Sequence, residues 1–281
     1  MLDSIINAFT KGDLAGLNSK LLHSAYWSQH NATLYGSEKL NTVLSHWLSF
    51  AGKCTVVDHH TIEQGNHCII HLTFEPINNK VTINYVFWLE TNHLMIKSVK
   101  AIVDTVQLAT ASQHERKQVS ASLPASDPLM ISDYDQQDHL QNDIAWPSML
   151  VGKHIEKAEI LDAWWALWGQ NQLSNIDKIY SENAIINLSG HKTHLNRDLL
   201  FEYVLSKTSK LTRTFAQLED IAIDGQHVAI KWFLDGDEGS HKIRLPFISI
   251  LKIESNHITN ETTLCDVLAF NKSFPLSTLF E

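Results

Sequence analysis

Leu89-Glu90-Thr91-Asn92-His93 and Ile253-Glu254-Ser255-Asn256-His257 are one pattern written twice, 164 residues apart. In each, strand-forming residues run into an Asn-His pair of the kind that marks a tight turn. Working outward, Gly65-Asn66-His67 matches Gly225-Gln226-His227 at an offset of 160. Ala25-Tyr26-Trp27 matches Ala184-Ile185-Ile186 at 159, and Phe9-Thr10-Lys11-Gly12-Asp13-Leu14 runs against Trp168-Gly169-Gln170-Asn171-Gln172-Leu173 in the same register. Asp104 and Asp266 pair at 162. The drift in offset fits loop insertions of one or two residues. A solenoid unit repeats every ~20–50 residues, so a repeat of this length is a duplicated domain.

The elements come in the same order in both halves. Leu2, Ile5, Ile6 and Phe9 have helical spacing up to Gly12, and Leu14, Leu17, Leu21 and Leu22 suggest a second short helix. A third helix begins near Ser37, with Leu40, Val43, Leu44, Trp47 and Leu48 on its apolar face. Strand-like runs then follow at 54–64, 67–75, 80–91 and 94–106, with hairpin signals at Gly65-Asn66 and Asn78-Asn79. The second half places helices over Ile160 to Trp168, Leu173 to Ser181 and Asp198 to Ser206, then strands near 213–223, 227–234, 242–254 and 258–269. Helices followed by a run of antiparallel strands indicate an α+β fold. The domains are expected at 1–112 and 153–281, joined by a linker over 113–152. That linker holds Pro124, Pro128 and Pro147, and five Asp with no Lys or Arg between Asp127 and Asp143. Its apolar patches, Leu129-Met130-Ile131 and Ile144-Ala145-Trp146, are expected to tie the two domains together by packing, with a place over a domain surface or a pocket mouth as the alternative.

Composition narrows the function. The chain has 281 residues, 44% hydrophobic and 19% charged, which suits two ordinary globular domains. A formal net charge of −9 with no Lys/Arg cluster argues against nucleic-acid partners. Met1-Leu2-Asp3-Ser4-Ile5-Ile6 lacks the basic start and apolar run of a signal peptide, and no apolar stretch approaches ~20 residues, so the expectation is cytoplasmic with no membrane partner. Cys54, Cys68 and Cys265 form no Cys-x-x-Cys pair and read as packed, reduced thiols, although Cys54 and Cys68 could sit on neighbouring strands. No Gly-x-Ser-x-Gly elbow, Walker loop or Gly-x-Gly-x-x-Gly turn is present.

The early helix pair before an aromatic strand (Phe9, Leu14, Leu21, Tyr26-Trp27), the Gly-x-His turns at Gly65 and Gly225, and the late-strand aspartates Asp104 and Asp266 together resemble the nuclear transport factor 2-like superfamily. They resemble its SnoaL-like branch in particular. The resemblance covers both repeats. It implies two cone-shaped domains, each a curved antiparallel sheet packed on about three helices, with a pocket between sheet and helices. It also implies pairing through sheet faces, here an intrachain pseudo-dimer, and leaves room for further homo-oligomerisation. The family holds isomerases, cyclases, dehydratases and epoxide hydrolases beside members that only bind or scaffold, so the fold leaves function open. The expected function is binding of a small apolar molecule, or an accessory role, without a cofactor. The alternative is a cofactor-free isomerase, cyclase or dehydratase acting on a carbonyl compound by Asp acid-base chemistry.

Asp104 and Asp266 are the candidate catalytic groups, because a desolvated carboxylate with a raised pKa can move protons. A backbone-bonding structural Asp would survive duplication equally well. For ligand binding the candidates are Trp27, His30, Asp58, His71, Tyr85 and Lys100, which mix aromatic and titratable groups as a pocket needs. This mix favours the first copy as the working one. Trp164, Trp165, Trp168, Trp232 and Phe233 supply aromatic surface in the second copy, where packing explains them as well. Asp58, His59, His60, His67 and His71 cluster in sequence, but alternation puts His59 and His60 on opposite faces and a metal needs three or four converging ligands, so no metal is expected. Ile83, Tyr85, Phe87, Phe247, Ile248 and Ile250 are expected to face the other domain's sheet.

Overall fold

The computed structural model describes residues 1–29, 32–123, 155–170, 172–191, 194–208, 212–238 and 241–268. In the first copy, α1 (Leu2–Lys11) and α2 (Leu14–Asn18) lead into β1 (Leu21–Gln29), β2 (Ala32–Tyr35) and α3 (Ser37–Ala51). Four long strands follow: β3 (Cys54–Gln64), β4 (His67–Pro76), β5 (Ile83–Asn92) and β6 (Met95–Val103). The second copy opens with α6 (Ile155–Gln170), a 3-10 turn (Leu173–Asn175) and α7 (Ile176–Ile179). It continues through β7 (Tyr180–Leu188), α8 (Arg197–Thr208), β8 (Thr212–Asp224), β9 (His227–Glu238), β10 (His241–Glu254) and β11 (His257–Leu264). The chain is α+β, with sheet orders β2-β1-β6-β5-β4-β3 and β7-β11-β10-β9-β8. All pairings are antiparallel except β1 with β6 and β7 with β11, which are parallel.

Strand registers measure the duplication independently of side-chain similarity. Leu21 pairs with Ile96 and Trp27 with Val99, while Tyr180 pairs with Ile258 and Ile186 with Glu261. The first strands are therefore offset by 159 and the last by 162. The last hairpins turn on two left-handed residues each, His93-Leu94 and Ser255-Asn256, again 162 apart. The opening match at 164 is thus two residues out of structural register. Paired left-handed residues suit the right-handed twist of the flanking strands, and this geometry aligns the copies better than composition does.

Two helices depart from the sequence reading. After β6 the chain turns into α4 (Thr105–Ala111), where a continuing strand was expected, and then α5 (Arg116–Ser122) inside the linker. Asp104 causes the first change by capping α4, its Oδ1 accepting from the backbone N–H of Val106 and Gln107. Val119 and Leu123 of the linker join the first copy's core. The acidic stretch and the patches at 129–131 and 144–146 lie outside the described residues.

Alternation along β4 and β5 sorts the two faces of the first sheet. Ile70, Leu72, Phe74, Tyr85 and Phe87 face that copy's own helices. Ile69, Val86 and Trp88 point the other way and cluster with Ala222, Ala229, Ile248, Ile250 and Leu264 of the second copy. This corrects the expected facing residues: Ile83, Tyr85 and Phe87 lie inside the first copy, Phe247 packs against the second copy's core, and Ile248 and Ile250 meet the other sheet. The segment after β11 also crosses over, with Val267 and Leu268 in the first copy's core. Leu268 N–H donates to Thr105 Oγ1 at 3.0 Å and its carbonyl accepts from Ser120. Cys54, Cys68 and Cys265 are buried and unbridged. Cys54 pairs across strands with Pro76 and Cys68 with Glu63, so the two thiols sit at opposite ends of the β3–β4 ladder.

Candidate functional site

The interior of the first copy is filled by rings. Phe9 lies 5.7 Å from Trp47, 5.1 Å from Tyr85 and 5.0 Å from Phe87, centroid to centroid, and Tyr85 stacks on Phe87 at 4.3 Å. Trp27 joins them and donates to Gln29 Oε1 at 2.9 Å. Two of the six expected ligand residues, Trp27 and Tyr85, therefore meet in this core. Burial, with Asp266 adding, pushes the Tyr85 phenol well above its ordinary range.

The other candidates lie on different surfaces. His71 is on the opposite face of β4, its Nε2 at 3.1 Å from Asn84 Oδ1, and burial lowers its pKa. Lys100 points out of β6 toward Ser28 Oγ at 3.5 Å. It lines a cleft of about 220 Å³ with Tyr26, Trp88, His67 and, from the second copy, Asp220 and Lys231. Charge there is matched internally, Lys231 lying 3.0 Å from Glu219 and 5.2 Å from the Trp88 ring centre. Asp58 is exposed on β3, and His30 lies outside the described residues. The period-two pleat separates these groups, because neighbours in sequence share a face only at even spacing.

Asp104 and Asp266 are both buried where the copies meet. Besides capping α4, Asp104 accepts from the Gly190 N–H of the second copy at 3.0 Å. Burial raises its pKa to about 6, three backbone N–H donors oppose the rise, and Asp266 adds to it. Asp104 borders a second cleft of about 220 Å³ with Asn84, Gln107, Asn187, His191 and His194. Gln107 donates there to the His191 carbonyl, and its Oε1 accepts from Asn84. With three backbone donors on its oxygens, Asp104 is held as a connector between the copies.

The most concentrated chemistry is a group that sequence reasoning passed over. Glu261, on β11 inside the second copy, has no exposed surface. Its Oε2 accepts from Trp164 Nε1 at 3.2 Å and, over a short contact, from the Tyr180 hydroxyl, and its Oε1 accepts from Thr263 Oγ1 at 2.6 Å. Thr263 Oγ1 lies 2.7 Å from Ser249 Oγ, which accepts from Trp232 Nε1 at 2.9 Å. Burial raises the Glu261 pKa while its three donors oppose the rise. Burial and the neighbouring carboxylate push Tyr180 well above the ordinary phenol range. Trp164, Trp165 and Trp168 surround Trp232 at 5.6, 5.9 and 6.2 Å, and Phe247 stacks on it at 4.5 Å. Half-buried Trp168, Leu218, Leu234 and Phe247 pack against this cluster.

The duplication tests whether the fold needs this network. At the matching offsets the first copy has Val99 for Glu261, Leu21 for Tyr180, Ile5 for Trp164, Ala101 for Thr263, Phe87 for Ser249 and Leu72 for Trp232. At these six positions the first copy carries no polar side chain. The available signal was therefore the aligned difference, Glu against Val on the interior side of the last strand.

No family model matches this chain and no curated protein sequence matches it. Solved structures do. The folds it resembles are ketosteroid isomerase-like and SnoaL-like. A candidate polyketide cyclase from Bacillus cereus is 20% identical, covering 43% of this chain and 81% of its own, with a TM-score of 0.40. A candidate SnoaL-like polyketide cyclase from Jannaschia is 8% identical over 44% of this chain and 92% of its own, at 0.37. A protein of ketosteroid isomerase-like fold from Catenulispora acidiphila, solved with trimethylamine, is 14% identical over 39% and 86%, at 0.36. No helix among the described residues is long and apolar enough to cross a membrane.

Proposed function

We propose that this chain binds a small apolar molecule through its second copy, and that the first copy serves as a packed partner in an intrachain pseudo-dimer. One observation carries the reading. The second copy places a carboxylate, Glu261, with a phenol and an indole as donors, in an aromatic interior where the first copy has apolar residues at the matching positions. Burying a carboxylate costs stability unless it is well bonded, and the first copy shows that the fold does without it. Tyr180, Trp164 and Glu261 have no exposed surface and bond one another, so a ligand carbonyl or hydroxyl would enter by exchanging those bonds, with indole rings for its apolar body.

The enzymatic alternative rests on the same residues. A desolvated carboxylate beside a phenol is suited to moving a proton next to a carbonyl, Glu261 as base and Tyr180 as donor to the developing oxyanion. This moves the working copy from the first half to the second and the reacting group from Asp104 or Asp266 to Glu261. Four of the chain's eight Trp belong to this core, so titrating cyclic ketones and aromatic polyketide fragments should change intrinsic fluorescence. The change should shrink in Trp164→Phe and persist in full in Trp27→Phe. Fluorescence that responds through Trp27 alone would return the site to the first copy. Turnover of a bound ketone that vanishes in Glu261→Gln would select the enzyme, and binding without turnover the carrier.

A further inference from the structure

The contact between the copies contains two matching pairs that have diverged in chemistry. At the 160 offset, His60 of β3 corresponds to Asp220 of β8, and His67 of β4 to His227 of β9. A twofold contact makes each position meet the other's partner, and the structure shows both halves of that rule. His67 Nε2 lies 3.7 Å from Asp220 Oδ2, and the His60 and His227 rings lie 3.7 Å apart, centroid to centroid. One half of the seam is histidine on carboxylate. The other is histidine on histidine.

We propose that the His60–His227 half of the seam is a pH-sensitive latch between the copies, closed when both imidazoles are neutral and loosened when they are protonated. Geometry carries this. Two imidazolium rings at that separation repel, and His60 Nε2 is buried with no hydrogen-bond partner, so a proton there gains no acceptor. Next to the pair, Gln64 Oε1 of the first copy accepts from the Ile223 N–H of the second at 2.8 Å, and opening the seam breaks that bond. The charged and titratable groups facing the rings are Asp58 and His59 from β3, Asp224 from β8, and Lys252 and Glu254 from β10. Buried His71 behind them also feels His60. Lys252 and the neighbouring imidazoles disfavour added positive charge, and the carboxylates temper this.

Titration runs in the same direction. Burial lowers the pKa of His60, opposed by Asp224 and Asp58. Burial and then His60 lower His227 from 6.5 to about 4. An imidazole whose pKa is lower in the closed seam than in the open one stabilises closure above the open value. That stabilisation is lost as pH falls from 6.5 toward about 4. Acid therefore loosens the His60–His227 half of the seam.

The test uses the full chain. Histidine ring-proton NMR should show His227 titrating near pH 4, and His60→Gln should raise its proton affinity about tenfold. Amide-exchange protection of Ile223, scaled to intrinsic rates, should fall about tenfold between about pH 7 and about pH 5. In the His60→Gln/His227→Gln variant it should stay within about twofold. Ordinary titration of His60 and His227 near 6.5 would overturn the latch, and so would equal acid loosening in the parent and the double variant. NMR titration of the unaltered chain decides the question even where the double variant fails to fold.

Discussion

Glu261→Val is the sharpest perturbation because it writes the first copy's residue into the second. Alone it should be costly. Trp164 Nε1 and the Tyr180 hydroxyl, both buried, lose their acceptor. A buried donor left unpaired costs about 1–3 kcal/mol, so the two together cost about 2–6 kcal/mol. Tyr180→Phe alone removes one donor from the carboxylate, worth about 1.5–3 kcal/mol. Combining the two removes both ends of that contact, so the double variant should be about 1–3 kcal/mol more stable than the summed single effects. The assay is urea unfolding followed by tryptophan fluorescence, repeated across pH. Burial raises the Glu261 pKa above its ordinary 4.5. The protonated form is the better tolerated one in the fold, so its stabilisation is full at acid pH and is lost as pH rises through the raised value. Glu261→Gln should flatten that slope. A Glu261→Val variant as stable as the parent, or strict additivity with Tyr180→Phe, would refute the idea that these groups form one coupled network.

Other expectations follow from particular contacts. Asp104→Asn keeps the α4 cap but turns one oxygen into an amide against the Gly190 N–H, so it should destabilise at about pH 5. Asp104 stabilises the fold fully only below its unfolded value of 3.8 and loses that as pH rises through about 6, so the deficit of the Asn variant should shrink by about 1.4 kcal/mol between about pH 5 and about pH 8 in urea titrations. Thr105→Val leaves the Leu268 N–H without its acceptor and should cost about 1–3 kcal/mol, read as a lower urea midpoint. Leu94 is 86% exposed at a φ of 68°, which a leucine adopts only at a cost. Leu94→Asn, copying Asn256, should stabilise by about 0.5–1 kcal/mol in thermal unfolding.

How much of this was legible follows from which signals are local. Turns and helix faces are local, so the Gly65 and Gly225 hairpins and the apolar face of α3 could be read from the chain. The α4 helix could not, because seven residues of mixed propensity after a strand become helical chiefly through the Asp104 cap and burial of Val106 and Leu108. The site is harder to read because it depends on parity. Tyr85 and Lys100 look alike as candidates, yet one faces rings and the other faces the opposite copy. Parity becomes readable once a register is known, and here the hairpin dihedrals, not the matching letters, supplied it.

Duplication also offers a control that a single domain lacks. Both copies keep an Asp after the last strand, and both aspartates end up buried where the copies meet, which is what a shared structural constraint would preserve. Glu261 has no such counterpart. Its whole network, from Tyr180 to Trp232, replaces a layer that the first copy builds from Val99, Leu21, Ala101, Phe87 and Leu72. A polar cluster that one copy holds at a desolvation cost, and that its twin does without, is better explained by what it binds than by what it supports.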